Sequence, residues 1–330
     1  MIPRFLLASL LCLSLAACSE PVAPPAPALV EASAAVTEPA PAPGPAEAPR
    51  SFDILIRNGT VYTGDGGEAV RADIAIDGDR IAAIGEINGS AETLIDASGL
   101  AVAPGFINML SWATESLIEN GLSQSDIRQG VTLEVMGEGW SMGPLNDSMK
   151  AEMRDRQADI KYEIEWTTLG EYLEYLERRG ISTNVASFVG ATTVRIHVLG
   201  EEDRAPTAEE LGRMRQLVAD AIEEGALGVG SSLIYSPGFY ASTEELIALI
   251  RMASRYGGRY LSHLRSEGSR FLEAVDELIT IARDANIGAE IYHLKAGGKD
   301  NWDKMDEVFR KVEAARAEGL DITADMYTYT

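Results

Sequence analysis

Cysteine is almost absent from this chain. The only two, Cys12 and Cys18, fall within the first eighteen residues. No disulfide can therefore hold the rest of the chain, whatever its compartment, and stability must come from a packed core. Basic residues are also scarce. Lys and Arg number 28 against 51 Asp and Glu, a formal net charge of -23. That balance gives no means of neutralising phosphates, which excludes nucleic acid and an anionic membrane surface as partners. Histidine is rarer still, with three in all: His197, His263 and His293.

Long apolar runs are missing after the N-terminus. The one at the start follows Arg4, runs from Phe5 to Ala17 and closes in Leu15-Ala16-Ala17-Cys18. It is too short for a ~30 Å hydrocarbon core. With its small-residue ending it reads as a secretory signal with a lipoprotein cleavage site, a membrane-inserted segment without lipid being the alternative. Residues 1–18 are then the signal peptide and Cys18 the lipidation site. The expected location is the bacterial cell envelope, at the periplasmic face of the outer membrane, with the lipid as the only membrane contact. Residues 19–50, rich in Pro, Ala and Glu, have little to bury and read as a disordered tether.

The remaining 280 residues, 51–330, are enough for a large barrel and a small satellite domain. Residues 51–104 carry β signals only. Phe52 to Arg57 makes a strand, Asn58-Gly59 a turn, Thr60-Val61-Tyr62 a resumed strand, and Asp77-Gly78-Asp79 a second turn. A small, partial β-sandwich is expected there. From residue 105 the texture changes to short apolar runs between long amphipathic helices, which predicts repeated βα units on a parallel sheet. Seven strands are expected, at 105–110, 131–137, 184–190, 225–234, 260–264, 290–294 and 321–327. The fold class is α/β, a (β/α)₈ TIM-type barrel over residues 105–330 with about seven strands present. Thr207-Ala208-Glu209-Glu210 and Ser242-Thr243-Glu244-Glu245 are capping-box helix starts, and Gly225 and Gly257 are stops.

Two of the three histidines share a setting: Ser262-His263-Leu264-Arg265 and Tyr292-His293-Leu294-Lys295, each near the C-terminal end of an expected strand. Active sites of such barrels are built at that face. Two imidazoles from neighbouring strands need one or two further donors to form a zinc site with an open position. Glu138 is the candidate, because it ends the second strand between Gly137 and Gly139, which permit close backbone approach. Glu134 and His197 have no matching partner setting and are read as structural. Lys295 and Arg265 lie two residues beyond the histidines; either substrate-carboxylate binding or a solvated salt bridge suits them. Tyr235, on its own, could be an aromatic packed in the core.

Pro104-Gly105-Phe106-Ile107, Gly225-Ala226-Leu227-Gly228, Leu233-Ile234-Tyr235-Ser236-Pro237-Gly238, Tyr240 to Leu246, His263-Leu264-Arg265 and His293-Leu294-Lys295 occur in order. Together they resemble the D-aminoacylases of the amidohydrolase superfamily, from about Asp53 onward. The resemblance implies zinc-dependent hydrolysis of small N-acyl-D-amino acids, with His263 and His293 as ligands of one zinc ion and Tyr235 at the substrate. It also implies a general-base aspartate on an eighth strand, expected beyond Thr330, so that these residues alone should be inactive. The departures are specific. Superfamily members usually follow Pro-Gly-Phe-Ile with an acidic residue and a His-x-His pair, where this chain has Asn108, Leu110 and Trp112. Neither Leu nor Trp binds a metal, so at most one ion should bind tightly. Glu138 stands nearest the place of the family's strand-two cysteine, and Ala191 stands where relatives often carry histidine. A cyclic-amide hydrolase of the same superfamily is the runner-up, to be separated by substrate profiling. A dead, lipid-anchored binding protein is the other alternative, to be separated by zinc content.

Overall fold

The computed structural model describes residues 50–329. The expected signal peptide with Cys18, all of the expected tether but Arg50, and the eighth strand and aspartate expected beyond Thr330 lie outside the described residues. Among the described residues no helix is long and apolar enough to cross a membrane.

The N-terminal unit is one mixed sheet of five strands: β1 (Arg50–Val61), β2 (Val70–Asp77), β3 (Arg80–Gly85), β4 (Gly89–Asp96) and β5 (Ala101–Val102), in the order β3-β2-β1-β4 with β5 also on β1. Where a small, partial β-sandwich was expected, the described residues form this one sheet. Asn58-Gly59 is not the turn that the sequence suggests. Asn58 takes a left-handed φ of 63°, yet the chain continues as a single strand with a register shift between Ile56 and Gly59. The Asn58 N–H donates to Asp73 Oδ1 at 2.9 Å, so both halves of β1 stay paired to β2 around the irregularity. The expected turn at Gly78 does form, joining β2 to β3 antiparallel.

All seven expected barrel strands are found. They are β6 (Phe106–Asn108), β7 (Val131–Met136), a bent pair β8 (Asn184–Ser187) and β9 (Val189–Gly190), β10 (Gly228–Ser232), β11 (Arg259–His263), β12 (Ala289–Ile291) and β13 (Ile322–Ala324). Every pairing among them is parallel. The bend at Phe188 hands the pairing on, with β8 bonded to β7 and β9 to β10. The helices between them are α1 (Ser116–Glu119), α2 (Gln124–Ile127), α3 (Asp147–Arg156), α4 (Leu169–Arg179), α5 (Ala191–Leu199), α6 (Ala208–Glu223), α7 (Thr243–Arg255), α8 (Phe271–Ala285) and α9 (Met305–Ala317).

Helices α6, α7 and α8 each bury one apolar stripe, for example Leu246, Leu249, Ile250 and Ala253 of α7, against strand residues such as Val229 and Tyr260. Thr207 and Glu210 form the expected capping box of α6. At α7 only half of it forms. Ser242 accepts from the Glu245 N–H at 3.2 Å, but the Glu245 carboxylate turns away to Arg195, which is 1% exposed and lies 2.7 Å from both oxygens. A buried guanidinium left unpaired would cost more than one missing cap bond, so the ion pair takes the carboxylate.

Candidate metal centre

Strands β7 and β11 and the segment after β12 end at the same face, and that face assembles the cluster. Glu138 follows β7 between two glycines whose need is visible in the structure. A Cβ on Gly137 would lie 2.2 Å from the Phe188 carbonyl oxygen, and one on Gly139 would lie 2.6 Å from the Ser232 nitrogen; both have φ near +90° to +100°. The backbone can therefore dive between β8, β9 and β10, where Ser232 Oγ donates to the Glu138 carbonyl at 2.6 Å.

Glu138, His263 and His293 are all buried, and each brings one donor atom to a common point. Glu138 Oε1 lies 2.8 Å from His263 Nδ1 and 3.5 Å from His293 Nε2, and the two nitrogens are 3.0 Å apart. A tetrahedral ion with ligand bonds of ~2.0 Å has edges of about 3.3 Å, so one carboxylate and two imidazoles at these separations fit a divalent ion with a fourth position open. The imidazole planes are nearly perpendicular, at 89°.

The electrostatics agree with the fit. Burial alone would raise the Glu138 carboxyl, but hydrogen bonds from His263, His293 and Trp112 outweigh it and bring the group down to about 2. Burial alone would lower His293, but its bonds to Glu138 and Glu267 win and hold it up at about 9. The cluster favours positive charge between its donors, as a cation site must.

Three groups around the cluster carry little signal in the sequence. Trp112, unable to be a ligand, donates its indole N–H to Glu138 Oε2 at 2.9 Å. It thereby fixes the carboxylate oxygen that points away from the donor set. Glu267 faces the outer nitrogens of both histidines, 3.1 Å from His293 Nδ1 and 3.6 Å from His263 Nε2. Asp325, just past β13, accepts the His293 backbone N–H at 2.6 Å. Glu267 sits in Arg265-Ser266-Glu267-Gly268, outside any strand, where no periodicity marks it; an acidic residue four positions after a strand-end histidine was the one available clue.

The remaining expected residues divide. Lys295 Nζ lies 2.5 Å from Glu267 Oε1 and 3.0 Å from His293 Nδ1, at the edge of the cluster. Tyr235 is 57% exposed with its ring edge-on to His263 at 5.2 Å, so it borders the site and is not packed in the core. Arg265 points elsewhere. Its guanidinium donates twice to Glu277, at 2.8 and 2.9 Å, and to the carbonyls of Phe239 and Ala241. Four bonds leave it no fork for a substrate carboxylate, so of its two readings the salt bridge matches the geometry, although the bridge is largely buried. Glu134 is fully buried and satisfied by Ser111, Ser123 and Thr183, and half-buried His197 lies on α5 away from the cluster. Neither joins the cluster. Ala191 opens α5, and Leu110 is partly buried beside Val135 and Phe188. Asn108 Oδ1 accepts from the Leu110 N–H.

No protein-family model matches the chain. The D-aminoacylase of Alcaligenes xylosoxydans xylosoxydans is 35% identical over 283 residues, which are 84% of this chain and 57% of the relative. A crystal structure of D-aminoacylase, described as defining a novel subset of amidohydrolases, superposes with a TM-score of 0.76 at 33% identity, covering 84% of this chain and 59% of that one. An N-acyl-D-glutamate deacylase from Bordetella bronchiseptica, complexed with zinc and a phosphonate inhibitor that mimics the tetrahedral intermediate, gives 0.75 at 29% identity over 85% and 59%. The chain thus spans a little over half the length of the relatives it matches. Over the residues it shares with them, it is a member of the D-aminoacylase family of amidohydrolases.

Proposed function

We propose that the protein is a metal-dependent hydrolase that deacylates N-acyl-D-amino acids, with a single zinc ion held by Glu138, His263 and His293. The observation that carries this reading is the convergence of three buried donor atoms from the ends of β7, β11 and β12. A zinc ion bound there would supply Lewis acidity toward the amide carbonyl and a water acidified enough to attack it. Trp112 holds the outer oxygen of Glu138, so the inner oxygen stays aimed at the other donors. Glu267 holds the outer nitrogen of His293, as carboxylates behind metal-bound histidines do, and stands 3.6 Å from that of His263. Lys295 brings an ammonium group to the edge of the site, where it would receive the carboxylate of the amino acid. Tyr235 stands edge-on to the His263 ring at the border of the site, where it would meet the substrate. With Leu110 and Trp112 in place of a His-x-His pair, a second tight site is not expected.

The test, made on the full-length protein with the expected eighth strand included, is elemental analysis together with amine release from N-acetyl-D- and N-acetyl-L-amino acids. One zinc per chain with D-selective release supports the reading; zinc without turnover of any N-acyl amino acid removes the activity from it.

The leader supports a further part of the proposal: Cys18 carries a lipid and anchors the protein at the periplasmic face of the outer membrane. Mass spectrometry of the protein from membranes should find an acylated Cys18 as the first residue. An unprocessed leader, or full release of the wild-type protein into the soluble fraction, would contradict it.

A further inference from the structure

Beside the metal cluster lies a cavity of about 490 Å³, within the usual range for small-ligand sites. It opens between the segments that follow β6 and β7, with α3 and the α5 residue Ile196 as its far wall. Its lining is mostly apolar, with Trp112, Trp140, Met142, Met149, Met153 and Ile196 as the main surfaces. Two of the chain's four tryptophans, 56% and 37% exposed, stand at this one place.

The charged groups around the cavity each have a partner within its lining. Glu115 accepts from the Tyr162 hydroxyl at 2.7 Å, and Arg156 is paired with Glu152. The Glu115 carboxylate has only a neutral hydroxyl as its partner, and Arg156 and Glu152 form an exposed pair with no net charge, so the charge that faces the cavity is negative and disfavours an anionic ligand group. An alkyl group would instead be matched by the lining, and methionine side chains adapt to flexible alkyl shapes.

Trp112 connects this cavity to the chemistry, because it lines the cavity while its indole N–H is bonded to Glu138. Lys295 stands on the other side of the donor set, against the His293 nitrogen that faces away from Glu138. A carboxylate at Lys295 and a carbonyl at the donor cluster would send the remainder of an N-acyl amino acid, its acyl chain, past Trp112.

We propose that this cavity is an acyl-chain pocket, and that the substrates are amino acids N-acylated with a medium-length, unbranched alkyl chain instead of acetyl. The inference rests on the deacylase reading for the orientation of the substrate. Trp112 then has two tasks, holding Glu138 and forming the pocket entrance, which accounts for an indole in place of a histidine.

The experiment is calorimetric binding to the metal-free full chain, where no turnover can occur, of N-acyl-D-leucines from acetyl through butanoyl and hexanoyl to octanoyl. Each buried methylene should tighten binding about fourfold, and octanoyl should bind at least about a hundredfold more tightly than acetyl. Met153→Glu and Trp140→Ala, both at partly exposed positions and checked for fold by circular dichroism, should flatten the series. A flat series in the wild type, or a steep one unchanged in both variants, overturns the pocket. Length-dependent binding without hydrolysis by the zinc-loaded protein leaves the pocket standing and removes the deacylase reading. Equal kcat/KM for acetyl and octanoyl substrates does the reverse.

Discussion

Ser262-His263-Leu264-Arg265 and Tyr292-His293-Leu294-Lys295 look interchangeable, yet the fold uses them differently. His263 is the last residue of a regular strand and turns Nδ1 toward Glu138. His293 lies beyond its strand at a φ of 37° and turns Nε2 inward. A left-handed backbone at a non-glycine residue costs on the order of 1–3 kcal/mol. The Asp325 carboxylate, taking the His293 N–H, helps to hold it there. The difference carries two residues further. Arg265 swings out to Glu277 and two carbonyls, while Lys295 folds back onto Glu267 and His293. Identical spacing from a histidine therefore gives no shared face once one copy leaves the strand. The basic residue after His263 maintains the scaffold, and the one after His293 belongs to the site.

This comparison can be broken most sharply at the ligands. His293→Ala, or separately His263→Ala, should take the zinc content from about one ion per chain to about none while circular dichroism stays unchanged, since a third donor is needed to close the site. If either variant retained full zinc, the two segments would not be equivalent partners in one centre. Glu267→Ala should weaken zinc by about 10–100-fold in a chelator competition, because it leaves both ligands in place but frees the outer nitrogen of His293. An unchanged affinity would reduce Glu267 to a partner of Lys295 alone.

The Arg265 and Lys295 changes sharpen the contrast between the two copies. Arg265→Met should lower unfolding stability by about 2 kcal/mol in denaturant titration, as several bonds to one charged, mostly buried group are lost, and should leave zinc affinity within about twofold. Lys295→Met should have the smallest effect on stability and should raise KM for N-acyl amino acids. Equal effects of the two changes on KM would mean that Arg265 reaches the substrate after all.

The strand positions were legible because a buried parallel strand needs a short apolar run and each helix needs an amphipathic stripe; 131–137 against Val131–Met136 shows how closely that signal works. Glu138 was legible for a related reason, since paired glycines beside a strand-end carboxylate mark a tight backbone passage. Asn58-Gly59 misled because the same dipeptide that closes a hairpin can form a bulge within one strand. Glu267, Asp325 and the support from Trp112 were not legible. They act from loops, and their roles follow from which way a neighbouring ring is turned, which spacing along the chain does not encode. The half-formed capping box at Ser242 has a similar origin, as Arg195 lies fifty positions from the glutamate it captures.

The most direct test of the account is the zinc content of the purified protein set beside that of its Glu138→Ala variant. The account predicts one ion per chain in the wild type and a large loss of affinity in the variant with the fold intact. Equal zinc content and affinity in the two proteins would contradict it.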